Sequence, residues 1–109
     1  MKLIKNNESR WQEKEGYSKK ILLEGVVQEI KIKAGETAKS HHHKVQKEIF
    51  YFLSDFGYWI VNGEQIKPKI GDCLIIEPMD KHTVINESEK DYIYLAFKIN
   101  YAENDLYWD

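Results

Sequence analysis

Three of the chain's four histidines stand side by side, at positions His41, His42 and His43. Side chains two residues apart on a β-strand share a face, so His41 and His43 can approach one point while His42 faces away. Imidazole nitrogen suits divalent transition metals, and the carboxylate of Glu48 follows the cluster by five positions. This spacing leaves room for a turn that returns the carboxylate to the same side.

The fourth histidine, His82, is distant in sequence but follows an apolar segment and a turn led by Pro78. A β-barrel would bring such a residue back to the first cluster. Adjacent histidines on a protein surface are usually solvated and hold no ion. The spacing alone leaves a metal site and a solvated surface equally open.

The apolar residues repeat with a period of two, which is typical of β-strands, and no segment shows a sustained helical stripe. Asn62-Gly63 is a strong hairpin signal, because both residues tolerate a positive φ. Short strands about ten residues apart, separated by Gly, Pro and Asn, predict an all-β sandwich or barrel. The segments with strand character are 26–33, 47–53, 57–68, 72–78 and 91–100.

Segment 91–100 is apolar on both faces, so alternation does not decide which face points inward. We expect the face that carries Tyr94 and Lys98 to point outward, against a partner subunit. The tail 101–109 is rich in Tyr and Trp, and such a tail usually packs on its own barrel or on a second subunit. These features predict a homodimer.

Composition excludes several classes of protein. The chain has 109 residues, 42% of them hydrophobic, which is enough for the core of one domain. The net charge is −2 and no basic stripe is visible, so a nucleic-acid partner is not expected. The single cysteine, Cys73, has no partner for an intramolecular disulfide, and we expect it to be a small apolar filler. No stretch resembles a signal peptide or is long enough to span a bilayer, so we expect a cytoplasmic protein without a membrane partner.

Two ordered motifs in the chain resemble those of the cupin superfamily. The residues that carry them are Gly35, His41, His43 and Glu48 in the first motif, and Gly71 through Pro78, His82 and Asn86 in the second. The resemblance covers residues 20–100, and the chain is similar to the small single-domain cupins. A fainter similarity, at 10–22, is to the sugar-phosphate isomerase-like branch.

The resemblance implies a cupin-type β-barrel, also called a double-stranded β-helix or jelly roll. It implies one domain over residues 1–109, with a barrel core at 20–100, an N-terminal arm at 1–19 and a C-terminal tail at 101–109. The glycine that usually follows the proline of the second motif is replaced by Met79. We therefore expect the loop that presents the last histidine to have a different shape.

The resemblance also implies four metal ligands, which are His41, His43, Glu48 and His82. This donor set is compatible with Zn, Fe, Mn, Ni, Co or Cu and does not separate them. Imidazole binds a metal only when unprotonated, so affinity should fall as the pH drops through about 6.5. Two positions of a six-coordinate ion would stay open for water, a small substrate or dioxygen.

Alternation also predicts which side chains line the pocket. If Glu48 points inward, Phe50 and Phe52 lie on the same side. Gln28 is the one polar residue on an otherwise apolar inward face, and it either hydrogen-bonds a ligand or lies in water at a rim. Trp59 either lines the pocket mouth or belongs to the core.

Several functions remain open on this basis. The first is a metal-dependent enzyme that acts on a small polar molecule, such as a sugar derivative or a small acid. The second is a non-catalytic module that senses or stores a metal or a small ligand. A metal-dependent dioxygenase and a structural β-domain without metal are the other two.

Overall fold

The computed structural model describes residues 1–109, and nearly all of its regular structure is antiparallel β-strand. A single 3₁₀ turn, Asn6–Glu8, is its only helical element. The strands are β1 (Gln12–Lys14), β2 (Tyr17–Leu23), β3 (Val27–Ile32), β4 (Thr37–His42), β5 (Lys47–Phe52), β6 (Tyr58–Val61), β7 (Glu64–Ile66), β8 (Cys73–Ile76), β9 (His82–Ile85), β10 (Tyr92–Ile99) and β11 (Tyr107–Trp108).

The strands form two sheets, and the core lies between them. One sheet has the order β1-β2-β3-β10-β5-β8 and the other the order β11-β4-β9-β6-β7. Strands distant in sequence are therefore neighbours, as β4 and β9 are, and residues far apart along the chain meet. The all-β architecture predicted from the period of two is confirmed. No helix is long and apolar enough to cross a membrane.

Aromatic side chains from both sheets fill the space between them. Trp59 on β6 is fully buried, and its ring centroid lies 4.8 Å from that of Phe50 on β5. Its Nε1–H donates a hydrogen bond of 3.1 Å to the hydroxyl of Tyr92 on β10. Such pairs contribute beyond the area that they bury, and the hydrogen bond satisfies the indole nitrogen inside the core.

The expected orientation of β10 is wrong. Tyr92, Tyr94 and Ala96 are buried, and Lys98 lies on the same inward face. The physical reason is size, because the tyrosine rings reach across to the other sheet, where Tyr94 lies 5.3 Å from Trp59 between ring centroids. The opposite face, which includes Phe97, is partly exposed to solvent.

The Asn62-Gly63 hairpin is confirmed between β6 and β7, with φ values of 49° and 85°. Two other expectations differ from the structure. Cys73 is exposed on the outer face of its sheet and is not an apolar filler, because the inward positions of that short strand belong to its neighbours Leu74 and Ile76. The expected arm 1–19 contains β1 and the start of β2, which extend the six-stranded sheet.

Candidate metal centre

Two neighbouring strands place the first and the last histidine of the predicted cluster side by side. His41 on β4 pairs directly with His82 on β9, and Ala38 pairs with Val84. Three steps along β4 therefore oppose two along β9, which is a β-bulge. The extra residue shifts the alternation, so that both Ala38 and His41 face the interior. In a regular strand with Ala38 inward, His41 would point out.

The structure brings all three predicted histidine ligands together. The ring centroids of His41 and His82 are 4.1 Å apart, and His43 lies 5.8 Å from each of them. One ring nitrogen from each lies within 4.8 Å of the other two. Glu48 reaches the same point from the other sheet, with Oε1 2.6 Å from Nε2 of His43 and 4.0 Å from Nε2 of His82.

Backbone carbonyls orient the three imidazole rings. Nδ1 of His41 lies 2.7 Å from the carbonyl oxygen of Lys39, and Nδ1 of His82 lies 2.9 Å from that of Asp80. Nδ1 of His43 is bonded to the carbonyl oxygen of Asp105. A carbonyl oxygen only accepts, so each Nδ1 carries the proton and donates. In the neutral form of each ring, Nε2 then presents its lone pair, which is the arrangement that metal-ligating histidines adopt.

One of these nitrogen atoms has no partner. Nε2 of His82 is buried and makes no hydrogen bond. An unsatisfied buried acceptor costs about 1–3 kcal/mol. Nε2 of His43 faces a carboxylate oxygen of Glu48, a contact between two acceptors that requires a proton or a cation. A divalent ion would satisfy these groups, so the residues present fit a metal.

The pKa shifts of His41, His82 and Glu48 favour the protonation states that bind a metal. Burial lowers the pKa of His41. Burial is also the largest cause that lowers the pKa of His82, to about 4, and the charge of His41 is the next. Both imidazoles are therefore neutral. Burial also opposes the charged forms of His43 and Glu48, but their mutual hydrogen bond and attraction outweigh it. The pKa of His43 is consequently raised and that of Glu48 is lowered, which keeps Glu48 a carboxylate.

The four groups lie at the wall of a cavity of about 290 Å³. Gln28, Phe50 and Trp59 line this cavity. Alternation predicts this position for Phe50, whereas the sequence leaves Gln28 and Trp59 open. Phe52 does not line it, and this expectation is corrected. Its ring is fully buried deeper in the core, stacked on Tyr92 at 5.9 Å between centroids.

His42 lies outside the cluster, as its place in the strand predicts. Its Nδ1 lies 2.7 Å from Oδ1 of Asp109, and its ring stacks on Tyr107. Tyr107 and Trp108 form β11, which pairs with β4 of the same chain. The ring of Trp108 lies 5.2 Å from that of His41. The tail therefore packs on its own barrel, beside the histidines.

Asp105 supports the centre, and sequence reasoning missed it. Its carboxylate accepts hydrogen bonds of 2.8 to 2.9 Å from the backbone amides of Lys44, Val45 and Gln46. Burial would raise the pKa of Asp105, but these three bonds outweigh it and hold the pKa low. One residue thus fixes the turn between His43 and Glu48 and also orients the His43 ring. No pattern in the tail distinguishes this aspartate from an exposed one.

Residues 28–98 match the family model described as Cupin domain, so the chain belongs to the cupin family. An oxalate-binding protein from Thermotoga maritima is 28% identical over 67 residues, which cover 62% of this chain. The match spans 55% of that protein's own length.

Two solved structures show the same fold. A predicted oxalate decarboxylase from Thermotoga maritima superposes with a TM-score of 0.82 at 20% identity, covering 92% of this chain and all of that one. Pac13 of Streptomyces, a nucleoside dehydratase, superposes with a TM-score of 0.81 at 14% identity, covering 100% of this chain and 91% of that one. At such identities the likeness shows the fold alone.

We predict that Asp105→Ala lowers metal affinity about 10- to 100-fold, because supporting groups around a ligand have effects of this size. The measurement is a competitive titration with a chelating dye, well below the melting temperature of the variant. Glu103→Ala, an exposed change in the same tail, is the control and should bind like the wild type. Equal affinity in both variants would contradict the supporting role of Asp105.

Proposed function

We propose that this protein is a divalent-metal-binding cupin that binds or acts on a small polar molecule. His41, His43, Glu48 and His82 hold the ion in this proposal. One observation carries it: the Nε2 atoms of three imidazoles converge, and that of His82 is buried without a partner. Residues 1–109 act as one domain, in which both sheets contribute ligands.

Mixed nitrogen and oxygen ligation suits Zn, Fe, Mn, Ni, Co or Cu, and the donor set does not select among them. A bound divalent ion supplies positive charge that polarises an oxygen atom of the ligand. The side chains that line the cavity supply the other contacts. Gln28 offers a hydrogen bond at the cavity wall, while Phe50 and Trp59 exclude water from one side.

The size of the cavity and the oxalate-binding relative support a small acid or a sugar derivative as the ligand. The cavity is at the lower end of the range for small-molecule sites. The nucleoside dehydratase with the same fold shows how far the chemistry of cupin-like proteins ranges. Fold alone therefore does not select the reaction.

A non-catalytic binding module is the second candidate, and one observation favours it. The cavity is lined by two carboxylates, Glu48 and Asp105, and both are already engaged. Glu48 contacts His43, and Asp105 accepts three backbone hydrogen bonds. No carboxylate is left free to act as a general base. A panel of sugar phosphates, dicarboxylates and oxygen-dependent substrates separates the candidates, since only the enzyme forms product.

We expect His43→Ala to lose the metal while His42→Ala keeps it, because only His43 faces the cavity. Elemental analysis of the purified proteins gives the metal-to-protein ratio. His42 is the matched control, since it is the same residue type one position away. If both variants retain equal metal, the proposed ligand set is wrong.

Metal addition should stabilise the protein and chelation should reverse the effect. At a free metal concentration of about 100 times Kd, the melting temperature should rise by about 10 °C or more. Differential scanning calorimetry after dialysis against EDTA and after reloading measures this change. A melting temperature that does not respond to any of the six metals would refute a metal centre.

We further propose that the protein forms a homodimer through the outer face of its six-stranded sheet. Leu95 pairs with Tyr51, and Phe97 pairs with Ile49, which in turn pairs with Ile75. Tyr51, Ile75 and Phe97 are 43%, 50% and 37% exposed. These side chains form an apolar surface across three adjacent strands. Such a surface is self-complementary under two-fold symmetry.

We expect Phe97→Lys to convert the dimer into a monomer, since a buried lysine at the centre of an apolar interface is unpaired. Sedimentation velocity at micromolar concentration measures the mass. Gln65→Lys, an exposed change on the other sheet, is the control. A wild-type protein that sediments as a monomer would refute the dimer.

A further inference from the structure

Two lysines line the cavity of the metal centre, and the proposed function leaves their role open. Lys98 on β10 stands directly opposite Glu48 on β5, on the inward face of the sheet. Lys19 on β2 stands opposite the core residue Ile30 on β3. Both side chains are half-buried. Inward-facing lysines in a small barrel are unusual, because burial disfavours the charged ammonium.

Neither lysine forms an ion pair, although the charge of Lys98 helps to lower the pKa of Glu48 across the strand pair. No ion pair or hydrogen bond involves the Nζ atom of Lys19 or Lys98, whereas Lys33 and Lys47 pair with carboxylates on the outer surface. The acidic residues of the cavity, Glu48 and Asp105, are engaged elsewhere. The ammonium group of Lys98 lies over the ring of Tyr101, 4.9 Å from its centroid.

The two ammonium groups act on one another. Burial, followed by the charge of Lys98, lowers the pKa of Lys19. Four residues line both the main cavity and a second, smaller depression, so they stand at the junction between the two: Lys19, Gln28, Lys98 and Tyr101. Two like charges held at one junction destabilise the free protein, and an anion placed between them would remove that cost.

We propose that Lys19 and Lys98 form an anion-binding subsite, and that the ligand is a small organic acid with two anionic groups. One group faces the metal and the other lies between the lysines, so this inference rests on the proposed function. A divalent ion, the carboxylates of Glu48 and Asp105 and the two lysines together give the cavity a net charge of about +2, which a doubly charged anion would balance. A neutral ligand would leave this charge uncompensated.

The experiment is isothermal titration calorimetry of cobalt-loaded and metal-free protein with four probes. Succinate carries two carboxylates, and phosphonoacetate replaces one of them by a phosphonate. Oxalate holds its two carboxylates closer together, and succinamide is the neutral analogue. The variants are Lys19→Gln, Lys98→Gln and Lys98→Arg, which retains the charge. Lys67→Gln, on the exposed surface, is the control.

We expect each lysine-to-glutamine change to weaken binding of the doubly charged probes by about tenfold or more, since a hydrogen bond to a charged group has this value. Lys98→Arg should bind the doubly charged probes more tightly than Lys98→Gln, because it retains the charge. Lys67→Gln should bind like the wild type, and succinamide should bind more weakly than succinate. The preference between succinate and phosphonoacetate identifies the anionic group.

Anion binding that is unchanged in both glutamine variants, or succinamide binding as tight as succinate binding, would overturn the subsite. Failure of the proposed function is seen separately, in the cobalt-to-protein ratio measured before titration. Lysine-dependent binding of succinate to the metal-free protein supports the subsite even if no cobalt is retained. The absence of lysine-dependent succinate binding from both the cobalt-loaded and the metal-free protein overturns the subsite.

Discussion

The structure depends on the requirement that polar groups inside an apolar core be satisfied. Three imidazoles and one carboxylate converge at the cavity wall, and the buried ring of His82 lies beside those of Phe50 and Trp59. Backbone carbonyls satisfy one nitrogen of each imidazole and thereby direct the other toward a common point. The path of the main chain, as much as the identity of the side chains, consequently determines what this protein can bind.

The sequence predicts the fold and the identity of the clustered histidines well, for physical reasons. Alternation and the Asn62-Gly63 turn are local signals, and they predict strands and a hairpin directly. His41 and His43 were expected on one face from their spacing, and they converge. The spacing did not predict the β-bulge before His41, which results from pairing with β9 and carries no local signature.

Other features are not predictable from alternation, because they depend on contacts across the whole barrel. Both faces of β10 are apolar, so only the size of the cavity between the sheets selects the tyrosine face. Phe52 follows the inward pattern of its strand, yet it lies too deep to reach the cavity. Asp105 accepts hydrogen bonds from residues about sixty positions earlier in the chain. The sequence around this aspartate does not predict such a contact.

The pairing of β11 with β4 has a consequence for solubility. Without β11, β4 would be the edge of the five-stranded sheet, with unpaired backbone amides and carbonyls open to other molecules. The C-terminal tail, residues 101–109, therefore holds the His43 ring and also shields the edge of β4. Loss of this short segment would uncover the edge of β4 and remove the support of the His43 ring at the same time, so the order of the candidate centre and the protection of a sheet edge depend on the same piece of chain.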